Sequence, residues 1–157
     1  MAKEDQRMRK SAYKTGRWDT SIDRKNTERM KRIIKKYGWP TVQLAGRKAS
    51  QNAWLLIQHA DRDVIFQNKC LKLIEKSYKN NPRLINPANI AYLTDRVLTN
   101  QGKKQIFGTQ FYRNRNGKFV PRLIRNIRNL EKRRAKYGLT PFRKYQKEFK
   151  KLSRIYS

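Results

Sequence analysis

The residues best suited to chemistry in this sequence are its one histidine and several polar groups that could converge on it. His59 directly follows the apolar run that begins at Trp54, and Asp61 stands shortly after it. A histidine with a carboxylate partner is the usual arrangement of a general base, and Arg and Gln side chains would bind an anionic or amide group. The candidate site predicted from these residue types consists of His59, Asp61, Asp95, Arg96, Gln105 and Gln110.

Packing is the stronger interpretation of the same groups. A lone histidine at the end of an apolar helix more often satisfies a buried polar group than it performs catalysis. Asp95 and Arg96 fit an ion pair that holds a helix to a hairpin. The sequence contains no nucleophile elbow, phosphate loop or HExxH motif, so an enzyme is not the favoured prediction. No metal or cofactor is expected, and Cys70 is predicted to be a buried, inert thiol without a disulfide partner.

The charge of the chain indicates a polyanionic partner. Forty Lys and Arg residues against eleven Asp and Glu residues give a net charge of +29. Self-repulsion at this charge opposes a compact state unless a polyanion neutralises it. Residues 101–157 contain 18 basic and 2 acidic groups, whereas residues 41–100 contain 9 and 4. The last third of the chain is therefore the predicted binding surface.

Arginine and tyrosine side chains are interleaved in that last third. The planar guanidinium group suits phosphate contacts, and a tyrosine ring can stack on an unpaired base. The predicted nucleic-acid-binding cations are Lys103, Lys104, Arg113, Arg115, Lys118, Arg122, Arg125, Arg128, Lys132, Arg133, Arg134 and Lys136, together with Arg7, Arg9, Lys10, Lys14 and Arg17 near the N-terminus. The predicted stacking residues are Tyr112, Tyr137 and Tyr145.

The spacing of apolar residues predicts a mainly α fold with one β-hairpin, of the α+β class. We expect an extended basic N-terminal arm over 1–18, followed by a single compact helical domain over 19–157 that ends in basic helices. Asn116-Gly117 indicates the turn of the hairpin. No apolar run reaches the roughly 20 residues that a membrane span requires. Helices are predicted over about 20–37, 47–60, 62–78, 87–100, 125–137 and 141–153, and the hairpin over about 104–121.

Several motifs occur in the order found in an uncharacterised bacterial family, which this chain resembles over roughly residues 19–146. The motifs are Tyr37-Gly-Trp-Pro40, Gln58-His-Ala-Asp61, Asp95-Arg96, Gln105-Ile-Phe-Gly-Thr-Gln110, Arg133-Arg134, Gly138-Leu139-Thr-Pro141 and Tyr145. The resemblance implies a helical fold with a hairpin, but no activity, because the family is known only as a domain of unknown function. Phe107 stands where the family usually has Tyr, and this chain is more basic than a typical member.

The functional expectation is an RNA-binding structural protein. The sequence has no helix-turn-helix, zinc-finger or zipper pattern and no RRM or KH signature, so no sequence-specific reader is visible. Basic segments at both ends of a compact core are typical of ribosomal or ribosome-associated proteins that clamp rRNA phosphates. The expected partners are structured RNA and neighbouring ribosomal proteins, in the cytoplasm or an organelle, with no membrane partner and no secretion. Two alternatives stay open: an enzyme or small-anion binder at the His59 site, and a DNA-coating viral or nucleoid protein.

Overall fold

The computed structural model describes residues 1–155, apart from the side chains of residues 13 and 152–155; the last two residues of the predicted domain lie outside the described part. Seven α-helices and one two-stranded antiparallel hairpin occur in this range, which confirms the predicted fold class. Contacts divide the chain into two compact units, Met1–Asn86 and Pro87–Ser157. The single domain over 19–157 stays a prediction, and the two units are described in turn. Between residues 1 and 155, no helix has the length and apolar character that crossing a membrane requires.

The first unit consists of four α-helices and a short 3-10 turn. They are α1 (Ala2–Thr15), α2 (Thr20–Tyr37), α3 (Val42–Gln58) and α4 (Val64–Asn80), and the 3-10 turn spans Pro82–Leu84. The polar residue before each of α2, α3 and α4 accepts a hydrogen bond from a backbone N–H of the first turn, as an N-cap does. The buried apolar core of this unit includes Met30, Ile34, Leu56, Ile57, Phe66, Cys70, Leu71 and Ile74.

The N-terminal segment is helical, so the extended conformation predicted for residues 1–18 is wrong over Ala2–Thr15. Ten of the 14 residues of this segment are Ala, Lys, Arg, Gln, Glu or Met, which have high helix propensity. Asp5 and Ala12 are buried, so one side of α1 packs against the protein. The helix ends at Gly16, whose left-handed φ of 70° allows its N–H to donate to the carbonyl of Ala12.

The second unit consists of three α-helices around a hairpin. It begins with α5 (Pro87–Asn100), which the sequence predicts over the same residues because Asn-Pro is a strong helix start. Strands β1 (Phe111–Arg113) and β2 (Phe119–Pro121) form the hairpin and are shorter than predicted. Then come α6 (Leu130–Lys136) and α7 (Phe142–Ile155). Residues 127–129 form a 3-10 turn, so the helix expected from residue 125 begins later.

The hairpin has two distinct faces. In the register of the strands, Phe111 lies opposite Pro121, Tyr112 opposite Val120 and Arg113 opposite Phe119. Since directly opposite residues project to the same face, the phenylalanines share one face, and Tyr112 and Val120 share the other. The first face packs on α7, where the Phe149 ring stacks on Phe111 at a centroid distance of 4.3 Å.

Candidate nucleic-acid interface and the polar clusters

His59 lies at the C-terminal end of α3 and is bound to Asp5 of α1. Its Nδ1 lies 3.0 Å from both carboxylate oxygens of Asp5, which is completely buried. Arg9 Nε lies 2.9 Å from His59 Nδ1 and 3.2 Å from Asp5 Oδ1. Because Asp5 is the anionic acceptor between the two side chains, the tautomer with the proton on Nδ1 is favoured, and Arg9 Nε then donates to the same carboxylate. The carboxylate partner of His59 is therefore Asp5, which was not singled out in the sequence.

Arg9 extends this cluster to α2. Its Nη2 donates to Asp23 Oδ1 at 2.6 Å, and its guanidinium carbon lies 5.8 Å from the centroid of Trp18. Burial tends to raise the pKa of Asp5, but the hydrogen bond and charge of His59, with Gln6 and Arg9, leave it below its usual value. The cluster joins three helices of the first unit, and the guanidinium of Arg9 is occupied within it.

Asp61 has a different environment. It is exposed, and its Oδ1 accepts a hydrogen bond from Gln67 Nε2 at 3.2 Å. Gln67 Nε2 also donates to the carbonyl of Ile57 at 2.9 Å, which ties α4 to the end of α3. Asp61 is thus bound to Gln67 of α4 and His59 to Asp5 of α1, and the other four residues of the predicted site lie in the second unit.

Asp95 organises a loop of the second unit. Its Oδ1 accepts from the backbone N–H groups of Ile106 (2.7 Å) and Phe107 (2.9 Å), and its Oδ2 accepts from the N–H (2.9 Å) and hydroxyl (3.0 Å) of Thr109. Burial raises the pKa of Asp95 despite these hydrogen bonds. A buried carboxylate with donors on both oxygens is suited to fixing a backbone, and this loop replaces the strand predicted before residue 111.

The two predicted glutamines complete this loop. The side chain of Gln105 is buried; its Nε2 donates to the carbonyls of Gln110 (3.0 Å) and Arg122 (2.8 Å), and its Oε1 accepts from the N–H of Gln110. Arg96 Nη1 donates to Gln110 Oε1 at 3.3 Å. The structure therefore brings Asp95, Arg96, Gln105 and Gln110 together around one backbone loop, and the contacts are those of a structural framework.

Arg133 and Arg134 hold the same loop from α6. Arg134 is only 1% exposed; its Nε and Nη2 donate to the carbonyl of Thr140 at 2.8 and 2.6 Å, and its Nη1 donates to that of Phe107. Arg133 donates to the carbonyls of Ile106 (3.0 Å), Arg125 (2.8 Å) and Asn126 (2.9 Å). Burial lowers the pKa of Arg134. Arg134 cannot reach a phosphate, so its assignment to the nucleic-acid surface is wrong.

Four of the predicted binding cations donate to groups of the protein. One of them, Arg113, stays exposed while its Nε donates to the carbonyl of Gly117 at 3.1 Å, and the other three are less accessible. Those three are Arg9, Arg133 and Arg134, all partly or fully buried. The others are exposed: Lys103, Lys104, Arg113, Arg115, Lys118, Arg122, Arg125, Arg128, Lys132 and Lys136 in the second unit, and Arg7, Lys10, Lys14 and Arg17 in the first. We call these ten predicted cations of the second unit the basic surface.

Two of the three predicted stacking tyrosines are packed within the protein, and the third is exposed. Tyr145 packs edge-to-face on Phe111 with a centroid distance of 5.8 Å, and its hydroxyl donates to the carbonyl of Thr109. Burial raises the pKa of Tyr145. Tyr137 packs against Phe107 at 4.8 Å in the core of the second unit. Both are structural, whereas Tyr112 is 44% exposed.

The predicted binding residues did not include the cations of α7. Arg143, Lys144, Lys147 and Lys151 are exposed on this helix, whereas Tyr145 and Phe149 pack inward. The alternation of apolar and basic positions at helical spacing was the available signal, because it assigns the basic positions to the solvent face. Among the described residues, no group of three His, Cys, Asp or Glu side chains could hold a metal ion. Cys70 is buried, as predicted, and burial raises its pKa to about 12.

Comparison with known proteins identifies the family of this chain. Neither the curated proteins nor the solved structures contain a significant match to it. The sequence model of one family, by contrast, matches residues 9–154, which is nearly the whole chain and includes every motif of the resemblance described above. The chain belongs to DUF6624, a family of unknown function.

Proposed function

We propose that this protein is a structural RNA-binding component of a ribonucleoprotein, with ribosomal RNA as the first candidate partner. It would neutralise and clamp phosphates of folded RNA through the basic surface, assisted by the exposed cations of α1 and α7. Neighbouring ribosomal proteins would complete its surroundings, in the cytoplasm or in an organelle. The proposal rests mainly on one observation, the large excess of basic over acidic residues in the second unit.

Residues 87–157 contain 19 basic and three acidic groups. Two of the three acidic groups are committed to the backbone: Asp95 is buried beneath the loop at residues 106–109, and Glu131 accepts from the N–H of Phe142 at 3.0 Å. They hold the fold in place and do not cover the exposed cations. A surface with so little internal compensation attracts a polyanion strongly, and the attraction weakens with salt.

The backbone under the basic surface is held in place. The N–H of Gln105 donates to the carbonyl of Leu123, and the N–H of Arg125 donates to the carbonyl of Gln105, each within 2.9 Å. These bonds place Lys104 beside the segment that carries Arg122 and Arg125. Arg133 fixes the carbonyl of Arg125 from the other side. Because this backbone is already ordered, binding has to order only the Lys and Arg side chains and not the main chain that carries them.

The test is a salt titration of binding to a structured rRNA fragment, with duplex DNA of equal length as the comparison. For contacts to about six phosphates, the slope of log K against log salt concentration is expected to be about −4 to −5. Tighter binding to RNA, and sedimentation of the chain with ribosomal particles from a lysate, would support the proposal. Equal or tighter binding to duplex DNA would favour the DNA-coating alternative. An affinity for RNA that does not change with salt concentration would contradict both the RNA-binding and the DNA-coating function.

A second candidate function, acid–base or small-anion chemistry at His59, has one observation in its favour. Asp5 orients the imidazole through Nδ1, as a carboxylate orients a general base. However, the His59 side chain is only 15% exposed, and the charges of Asp5 and Arg9 are paired with each other within the cluster. Inorganic phosphate should therefore raise the melting temperature of the wild type and of the His59→Gln variant by equal increments. A phosphate effect that disappears in the variant would favour the second candidate.

A further inference from the structure

We infer that the second unit binds an unpaired RNA base, which stacks on Tyr112 beside Arg122. This inference rests on the proposed RNA-binding function and specifies which part of an RNA the basic surface recognises. An RNA loop offers unstacked bases, whereas a duplex offers this surface its phosphates and sugars. Tyr112 would therefore make the protein prefer RNA with unpaired nucleotides.

The hairpin presents Tyr112 on the face that does not pack on α7. Phe111 and Phe119 contact Phe149 on the opposite face, at centroid distances of 4.3 and 5.4 Å. Because side chains alternate along a strand, Tyr112 projects away from that aromatic cluster. Its exposed fraction of 44% leaves a large part of the ring for a ligand.

Arg122 places a positive charge beside the Tyr112 ring, where it could bind the phosphate of a stacked nucleotide. Its guanidinium carbon lies 5.5 Å from the centroid of the Tyr112 ring, within cation–π range. Arg122 itself is exposed, so it can contact the phosphate of a nucleotide whose base stacks on the ring. Tyrosine next to arginine is a combination that proteins use to stack on the bases and bind the phosphates of single-stranded nucleic acids at once.

Both side chains project from a backbone that is already ordered. Tyr112 pairs with Val120 across the hairpin, and the N–H of Arg122 donates to the carbonyl of Gln110 at 3.0 Å. The buried side chain of Gln105 donates to the carbonyl of Arg122 at 2.8 Å. A base that binds here does not have to order the protein first, which favours affinity.

The basic segment that follows the hairpin also exposes apolar side chains. Leu123 is 74% exposed, and Ile127 is 64% exposed, although both are large aliphatic residues. They flank Arg125 and precede Arg128 in a segment whose charge excludes it from a protein core. Exposed aliphatic groups interleaved with cations fit a nucleic acid with accessible bases better than a fully paired duplex, because the duplex exposes no apolar base faces.

The experiment compares two RNAs of equal length at one salt concentration: a stem-loop with an unpaired loop and a fully paired duplex. The variants are Tyr112→Val, which keeps a strand-forming residue without a ring, and Tyr112→Phe, which keeps the ring. Tyr112→Val should weaken stem-loop binding by roughly 5- to 150-fold, the effect of losing one stacked base, and should leave duplex binding within about twofold. Tyr112→Phe should bind both RNAs like the wild type.

A matched control is Tyr37→Val, which removes another exposed tyrosine from the first unit and should change neither affinity. Equal affinities of wild type and Tyr112→Val for the stem-loop would overturn the inference, and so would an equal loss on both RNAs. If the wild type binds neither RNA, the proposed function itself has failed, and this outcome is distinct from the loss of a stacking preference.

Discussion

Arg134 provides the sharpest test of the distinction between structural and binding cations. The substitution Arg134→Lys keeps the charge but removes the planar fork. In the wild type, Nε and Nη2 bind the carbonyl of Thr140 while Nη1 binds that of Phe107, and the guanidinium lies 5.0 Å from the ring centroid of Tyr145. A lysine ammonium group is a single point and cannot reproduce this geometry.

The expected loss of stability follows from the two carbonyls. A buried polar group that loses its partner costs about 1–3 kcal/mol, and a hydrogen bond to a charged donor contributes about 1.5–3 kcal/mol. If the substituted lysine satisfies one carbonyl and leaves the other unpaired, the free energy of unfolding should fall by about 2–4 kcal/mol. Urea denaturation at 25 °C, followed by far-ultraviolet circular dichroism, measures this change directly.

The matched control is Arg128→Lys, the same chemical change at an exposed position near the start of α6. It should alter the free energy of unfolding by less than about 0.5 kcal/mol, as surface substitutions usually do. Equal, small effects of Arg134→Lys and Arg128→Lys would refute the structural role of Arg134. Equal, large effects would refute the distinction between the two positions.

Two further predictions concern the frameworks of the two units. Gly108 has a φ of +70°, and an added Cβ would lie 2.8 Å from Phe142, whereas Gly117 has the same φ and open space around it. Gly108→Ala should therefore lower the melting temperature more than Gly117→Ala. An equal decrease in the two variants would show that contact with Phe142 does not add to the cost of the positive φ. The pKa of Asp5 is lower in the folded state than its ordinary value of 3.8. Ionised Asp5 therefore stabilises the folded protein at pH values above 3.8, and this stabilisation is lost as the pH falls from 3.8 through the lower pKa of the folded state. Asp5→Asn should be less stable than the wild type at pH 6, with a gap that closes below pH 3.8, and a gap that is constant with pH would contradict the ion pair.

Local signals in the sequence predict most helix positions. Asn86-Pro87 is an N-cap followed by proline at the first helical position, and α5 begins there. Gly38 ends α2 as expected, with its N–H donating to the carbonyl of Ile34. These features succeed because capping depends on residues that are adjacent in the sequence. The extended conformation of residues 1–18 was wrong because the burial of Asp5 and Ala12 depends on partners far away in the sequence.

The roles of individual polar residues depend on tertiary contacts in the same way. Lys132, Arg133 and Arg134 are adjacent and similar in type, yet Lys132 is exposed and the guanidinium groups of the two arginines bind backbone carbonyls. The sequence offers no local property that separates them. Likewise, the partner of His59 lies 54 positions away, in a helix whose polarity alone predicted an extended arm.

The proposed function requires that the exposed cations of the second unit bind RNA phosphates. The most direct measurement is the salt dependence of binding to structured RNA for the triple variant Arg125→Gln/Arg128→Gln/Lys132→Gln, with Lys72→Gln/Lys76→Gln/Lys79→Gln of the first unit as a control of equal charge change. Removal of three phosphate contacts should reduce the magnitude of the log–log slope by about 2 to 3, and the control should keep the slope of the wild type. Identical slopes for the two triple variants would overturn the proposed function of this surface, because RNA binding would then depend on the total charge of the protein and not on the position of the cations.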